Sequence, residues 1–580
     1  MIFTQLRPTP QQRLVTDAFT GYDHRLSIPD GAFYHTENLS LRDYPLLATR
    51  RSRGLVRTLR DPGGILDKDA LCTVEDGTLY VNHHPTALSG LAPGEKQLVS
   101  MGACLCVFPD KQYYNTEDPA DFGCMEAELE VSGELRCSLC DLDGNALPAP
   151  SVGETEPEEP ANGALWIDTA GGRTLRCWSE AQSLWVEQTA VYTRLDLPCR
   201  GELPRLFKQW DGVSVSGAPA DCLNGEKLIY ALGGGGDEND YLVLVGLLDG
   251  PLSQTGTVRI SRTVPDLDFV CQCQNRLWGC RYGFDGEKTV NELYCCALGD
   301  FKNWRQYAGL STDSWTASVG SDGPWTGAVS YLGHPCFFKE NRIHSITVSA
   351  TGAHRVEETV CRGVQKGSHK SLQVVGESLY YKSPGDVCVW QGGFPQSISA
   401  ALGDERYRDA AAGAVDGCYY LSMRGGEGWS LFVYDTLRSL WVRQDSLHAL
   451  GFAASGGELY CIDADSGDLL ALKGTAGTIE GTFPWVAETG ILHYRTGDRK
   501  YVSRYNLSLR MAPGARLSVF LRYDSDGDWQ EAGTVTMAGT GTVTLPIRPR
   551  RCDHLQLRLA GEGEMKLYAL TRVLETGSDM

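Results

Sequence analysis

Carboxylates crowd together twice in this sequence, in Asp463-Ala-Asp465-Ser-Gly467-Asp468 and in Asp524-Ser-Asp526-Gly527-Asp528. A calcium ion takes roughly six to eight oxygen ligands, so Asp463, Asp465 and Asp468, and likewise Asp524, Asp526 and Asp528, form two candidate sets for that ion. Neither run reaches the closing Glu of a dedicated calcium loop. Both also suit hairpin turns, where Asp caps its own backbone and Gly supplies positive φ. Cys137-Ser-Leu-Cys140 is the one CxxC among 20 cysteines. Structural zinc needs a second ligand pair, which nearby residues do not offer, so most thiols are expected to be small, reduced core side chains. Gly233-Gly234-Gly235-Gly236 invites a phosphate-loop reading. It fails because Asp237-Glu238 follow in place of Lys-Ser/Thr and the next element, Tyr241-Leu242-Val243-Leu244, is a strand. The 11 histidines include one adjacent pair, His83-His84, and neither HExxH nor GxSxG occurs. These residues define no triad, metal centre or cofactor site, so the expectation is a chain that is not an enzyme and carries no cofactor.

Charge gives a second kind of candidate. Arg50, Arg51, Arg53, Arg57 and Arg60 form one basic cluster and Arg548-Pro549-Arg550-Arg551 another, in a chain with 53 basic and 73 acidic residues and a net charge of −20. Each cluster reads either as a dock for an acidic neighbour, such as another copy of the chain, or as a solvated segment. The acidic balance opposes broad neutralisation of nucleic-acid phosphates. The opening MIFTQLRPTPQQRLV lacks the charged-then-apolar layout of a signal peptide, and no run approaches ~18 apolar residues, so a soluble chain without membrane insertion is expected.

The elements that must carry these residues are strands. Short alternating apolar segments broken by Gly, Asp, Asn and Pro mark an all-β chain. One unit recurs: a turn ending in Gly or Asn, then an apolar residue and an aromatic, as in Gly77-Thr78-Leu79-Tyr80, Asn275-Arg276-Leu277-Trp278, Gly376-Glu377-Ser378-Leu379-Tyr380-Tyr381 and Gly457-Glu458-Leu459-Tyr460. Its aromatics Tyr230, Trp278, Phe338, Tyr381, Tyr420 and Tyr460 are spaced by roughly 40 to 60 residues, near the period of a four-stranded propeller blade. The sequence therefore reads as a multi-bladed β-propeller of about five to seven blades, with an inserted small β module and a C-terminal β-sandwich or jelly roll. The expected boundaries are an extended N-terminal arm at 1–60, first propeller strands at 61–119, an insertion with a Pro/Glu-rich loop at 120–205, the remaining blades at 206–485 and the sandwich at 490–580. Propellers host glycosidases, but no carboxylate pair stands out here. Ser321-Asp322-Gly323-Pro324-Trp325-Thr326 is only weakly similar to the sialidase Asp box, itself a structural turn.

Several segments carry a family resemblance. Phe19-Thr-Gly21-Tyr22-Asp23, Gly31-Ala-Phe33-Tyr34, Tyr44-Pro45-Leu46 and Arg51-Ser-Arg53-Gly54 look like the opening of tail and DNA-stabilisation proteins of tailed phages. Ala297-Leu298-Gly299-Asp300-Phe301-Lys302-Asn303-Trp304, Arg362-Gly363-Val364-Gln365-Lys366-Gly367-Ser368 and Arg548-Pro549-Arg550-Arg551-Cys552-Asp553-His554 resemble structural proteins of Firmicutes prophages. The resemblance implies a virion tail protein, with portal, adaptor or tail components as partners. It also implies a homo-oligomeric nozzle or hub ring, commonly of six copies, through which genomic DNA passes without sequence-specific binding. An acidic wall would let DNA slide. Arg50, Arg51, Arg53, Arg548, Arg550 and Arg551 are then the inter-subunit docking candidates. The alternatives are a peripheral tail or baseplate protein that binds host glycans, and a propeller glycosidase acting on surface polysaccharide.

Overall fold

A computed structural model describes residues 11–170, 172–235, 238–349, 353–494 and 499–576. Seven blades of four antiparallel strands follow one another around a ring, the last two extended by further short strands. Blade one comprises Pro62–Lys68, Ala70–Glu75, Thr78–Val81 and His84–Ser89; blade two comprises Gln97–Met101, Cys104–Phe108, Gln112–Asn115 and Phe122–Cys124. Blades three to five run over 269–318, 327–360 and 373–397, and blade six over 408–445. Blade seven takes three strands from the C-terminal end of the ring, Ala449–Ser455, Glu458–Asp463 and Asp468–Ala471, and its fourth, Gly54–Thr58, from the N-terminal segment. The ring is thus fastened by pairing its two ends, and Thr478–Ile479 adds to the far side of the same strand.

The recurring apolar-aromatic doublet is explained by burial on both faces of each blade. Phe337 packs toward blade three, with Trp278 and Cys280, whereas Phe338 packs toward blade five, with Tyr381 and Trp390. Each of the seven blade interfaces has its own apolar cluster, including the closing one, where Leu59 and Leu71 meet Ile462 and Leu469. The markers Trp278, Phe338, Tyr381, Tyr420 and Tyr460 all fall on the second strand of their blades. Tyr80 is on a third strand, and Tyr230 lies outside the ring altogether.

The insertion is larger than the sequence suggests. It leaves after blade two and returns before blade three, and its first and last strands, Ala127–Cys140 and Leu252–Arg262, lie side by side from Ala127 opposite Arg262 to Cys137 opposite Leu252. A long excursion can therefore depart and return without opening the ring. These strands centre a seven-stranded sheet that also takes Gly212–Ser216, Gly225–Leu228 and Glu238–Val245, so residues expected to build further blades build the insertion instead. A second sheet, Ser151–Gly153, Leu165–Asp168, Thr174–Ser179 and Leu184–Glu187, closes its core with Leu165, Ile167 and Leu175. The glycine run lies in a strand, Ala231–Gly235, paired with Glu238–Val245; Gly236 and Asp237 are outside the described residues.

The C-terminal unit is a two-sheet sandwich. One sheet holds Lys500–Met511, Gly539–Pro546 and Met565–Thr576; the other holds Pro484–Glu488, Leu555–Glu562, Arg516–Tyr523 and Asp526–Thr536. The N-terminal segment, read from sequence as an extended arm, is built into it. Gln11–Thr16 and Leu47–Thr49 pair with Met565–Thr576, His35–Glu37 pairs with Pro484–Glu488, and Gly21–Tyr22 joins blade six. Phe19, Phe33, Leu39 and Leu47 supply the reason, since each is buried in the sandwich core. Among the described residues no helix is long and apolar enough to cross a membrane.

Candidate functional site

The first strands of all seven blades meet at the ring axis around a cavity of about 230 Å³. Its lining includes Ile65, Leu98, Phe269, Ala328, Gln373, Ala412 and Phe452, one or more from each blade, and no Asp or Glu. Lys370 crosses it, donating to the Leu450 carbonyl at 2.6 Å, and at its edge pairs with Glu95 at 3.1 Å, as His369 does at 3.2 Å. Burial alone would raise the Glu95 carboxyl, yet His369 and Lys370 hold it down to about 2. The carboxylate pair that glycoside hydrolysis uses, roughly 5 to 9.5 Å apart, is not found on this lining.

Blade four gathers a serine, a histidine and a glutamate. Ser321 Oγ lies 3.1 Å from His344 Nε2 and Glu358 Oε2 lies 3.2 Å from the same nitrogen, while His344 Nδ1 is buried without a partner. A nucleophile relay needs one ring nitrogen toward the hydroxyl and the other held by the carboxylate, which this arrangement does not provide. Burial lowers His344 to about 4, so the ring is neutral. Lys339 Nζ donates to the Ser321 carbonyl at 2.6 Å, which fixes the Ser321-Asp322 turn.

The remaining sequence candidates separate. Cys137 and Cys140, three apart in one strand, point to opposite faces, and burial pushes each thiol up to about 12. Asp463 accepts the Asp465 amide at 3.0 Å, Asp465 meets His448 Nδ1 at 2.8 Å, and Asp468 accepts Thr58 Oγ1 at 2.5 Å. Asp524 accepts the Asp553 amide at 2.7 Å, while Asp526 and Asp528 are exposed in the following strand. No metal-binding group of three such side chains converges among the described residues.

The first arginine cluster is not a free docking surface. Arg50 is buried, ion-paired with Glu480, bonded to Asn38 Oδ1 at 2.7 Å and stacked 4.0 Å from the Phe483 ring. Arg53 is buried against Asp445 at 2.6 Å and Gln444 at 3.2 Å. Both fasten the N-terminal segment to the ring, so the docking role expected of them is corrected; the acidic neighbours lie in the same chain. Arg51 is exposed beside a cleft of about 240 Å³, whose other cations are each met by a carboxylate: Arg42 by Asp43 at 3.2 Å, Arg50 by Glu480, Arg438 by Asp435 at 2.5 Å and Lys473 by Asp416 at 2.6 Å. Arg548, Arg550 and Arg551 are exposed and make no ion pair with a described carboxylate.

A site that sequence reasoning missed lies on the insertion's four-stranded sheet. Side chains there alternate: Leu165, Ile167, Leu175 and Cys177 face the core, which turns Trp166, Arg176, Trp178, Trp185 and Glu187 to the opposite face. Trp178 lies directly across from Trp185, and Trp166 across from Arg176. Trp185 is the middle of three indoles, 5.5 Å from each neighbour at 62° and 61°, an edge-to-face row. Trp166 is buried and anchored by Nε1 to the Gly153 carbonyl at 3.1 Å, whereas Trp178 and Trp185 are half-buried and Glu187 is exposed. Arg176 lies 5.6 Å from the Trp166 ring and pairs with Asp168 at 3.0 Å. The available signal was the clustering of three of the chain's 13 tryptophans in one short stretch, each at an outward position of the strand alternation.

No protein-family model matches the chain, and no curated protein matches it. Solved structures similar to it include an exo-β-1,3-galactanase of Phanerochaete chrysosporium with β-1,3-galactotriose, at 9% identity and TM-score 0.22, over 52% of this chain and 94% of that one. A family 43 arabinoxylan arabinofuranohydrolase of Bacillus subtilis is similar at 9% identity and TM-score 0.19, over 54% and 95%. The endosialidase of phage phi92 is similar at 11% identity and TM-score 0.15, over 80% and 69%. At such identities and TM-scores the likeness assigns no role, and the all-β propeller rests on this chain's own sheets. The expectation that the chain is not an enzyme stands corrected by the glycoside hydrolases among these structures, and no activity passes from them to this chain.

Proposed function

We propose that this chain binds glycans, with the propeller and sandwich as scaffold and the tryptophan face of the insertion as the sugar platform. The row of Trp166, Trp178 and Trp185, two of them half-exposed and flanked by Arg176, Asp168 and Glu187, is the observation that carries the reading. A pyranose ring offers a patch of C–H groups to an indole face and a rim of hydroxyls to carboxylate and guanidinium edges. Rigid aromatics deliver that contact at low entropic cost, and a few planar polar groups fix orientation.

The test is a glycan array with the purified chain, followed by calorimetry on the best saccharide. Replacing both Trp178 and Trp185 by Ala is expected to weaken binding by at least about 2 kcal/mol, roughly thirty-fold. Absence of any glycan ligand, or unchanged affinity in the double variant, refutes the assignment. Reducing-end release from the same saccharide separates turnover from binding. The likeness of the opening segment to tailed-phage proteins supports placing the chain on a virion tail, a proposal that mass spectrometry of purified particles tests by the presence of its peptides.

A further inference from the structure

We propose that the open edge of the C-terminal sandwich is a second binding site, independent of the tryptophan face, for a small organic oxyanion: a carboxylate or phosphate on a body of one or two rings. The two sheets part where the edge strand Asp526–Thr536 of one faces the segment that follows Gly539–Pro546 of the other, leaving a cleft of about 490 Å³. That volume lies within the roughly 300 to 1,000 Å³ of small-molecule sites. Leu521, Ala532 and Ile547 give it an apolar floor, and Arg548 and Arg550 stand on its rim.

Three features make the rim an anion site rather than a solvated surface. Both guanidiniums line the cleft, and neither pairs with a described carboxylate. Pro549 between the two arginines has no backbone N–H to give to a sheet, so the segment stays unladdered, and residues two apart on extended chain project to one side. Arg550 is held in place by stacking, its guanidinium carbon 4.9 Å from the Tyr523 ring centroid, which leaves its N–H edges free for a bidentate oxyanion. Glu531 is the one carboxylate on the lining, and its Oε1 accepts Thr534 Oγ1 at 2.6 Å. The Gln530 amide remains to recognise a hydroxyl of the ligand body. The concave, apolar-floored shape favours a small molecule over the flat acidic surface of another protein copy.

Calorimetry on the full chain at low ionic strength, with glucuronate, glucose 6-phosphate and glucose, tests this. Saturable binding of at least one of the two anions is expected, with none for glucose, and the two anions separate carboxylate from phosphate recognition. The R548A/R550A variant should lose roughly tenfold or more in affinity, because two charge-assisted contacts go. Its melting temperature without ligand should fall by no more than a few degrees, since neither arginine pairs with a described carboxylate and only the exposed stack of Arg550 on Tyr523 is lost, and the tryptophan double variant should bind the anion as the parent does. Failure of both anions to saturate, equal binding by glucose, or undiminished binding in R548A/R550A overturns the proposal. Salt-sensitive self-association abolished by R548A/R550A, without anion binding, would assign these arginines to a second copy and overturn it as well.

Discussion

Removing the Asp211 carboxylate should cost the insertion several kcal/mol, because it strands a buried guanidinium. Arg262 is 6% exposed and Asp211 fully buried, and they pair at 2.5 Å at the point where the insertion returns to the ring. Arg262 also donates to the carbonyls of Leu206 at 3.2 Å and Met125 at 3.4 Å, so one side chain ties the insertion's exit, its only described α-helix and the end of blade two. In Asp211→Ala those two carbonyls remain, but no counter-charge does. Breaking a buried pair on one side costs about 3–5 kcal/mol, and the amide of Lys208, which Asp211 accepts at 3.1 Å, adds about 1 kcal/mol. The pair is itself costly to bury: desolvation raises the Asp211 carboxyl even with Arg262 beside it. Asp211→Ala combined with Arg262→Met should therefore recover most of the loss. Urea denaturation followed by tryptophan fluorescence reads both variants, with Trp210 adjacent to the site. A single-variant loss below about 1 kcal/mol, or a double variant no more stable than the single one, refutes the reasoning.

Two further outcomes follow from buried groups in the ring. His344 has its folded pKa depressed to about 4 by burial, so protonation favours the unfolded chain. Its contribution is complete above the ordinary histidine range near pH 6.5 and is lost as pH falls from there toward 4, on the order of 3 kcal/mol in all; His344→Gln should flatten that part of a stability–pH profile. Gly54 has no room for a side chain, since a Cβ there would lie 1.8 Å from the Ala476 carbonyl oxygen. Gly54→Ala should shift the closing strand and destabilise by about 1–3 kcal/mol, and hydrogen exchange should rise in 54–58 and 468–471 before it rises elsewhere.

Local pattern made the propeller legible, and long-range pairing hid the rest. Phe337-Phe338 and Tyr380-Tyr381 announce strands buried on both faces, so the blade repeat could be read through blades three to seven. Blade two has no such doublet in its second strand, Cys104–Phe108, where Cys106 takes one face and Leu105 and Val107 the other. Tyr230 carries the same local signature without being in a blade, because a turn-strand unit does not record which sheet it joins. Arg50 and Arg53 looked free since their partners, Glu480 and Asp445, lie about four hundred residues away in sequence. The tryptophan face was missed for a related reason: each indole alone reads as core, and only the alternation against Leu165, Ile167 and Leu175 turns the row outward.

The fastening of the ring sets a schedule for the nascent chain. Leu55 pairs with Leu470, so a strand made near the start waits for one made 415 residues later. At roughly 5–20 residues per second that interval is about 20–80 s, during which Gly54–Thr58 has no edge to join and blade one no neighbour on that side. Blades can stack as they emerge, each burying one face on the last, but the ring stays an open arc until blade seven arrives. Its closure, the burial of Phe19 and Phe33 in the sandwich, and the seating of Arg50 and Arg53 all await the final third of the chain. A chain truncated before residue 468 would therefore lack more than its last blade and sandwich, since its first sixty residues would keep their contacts with blade six, through Tyr22 and Arg53, but lose every strand pairing with blade seven and the sandwich.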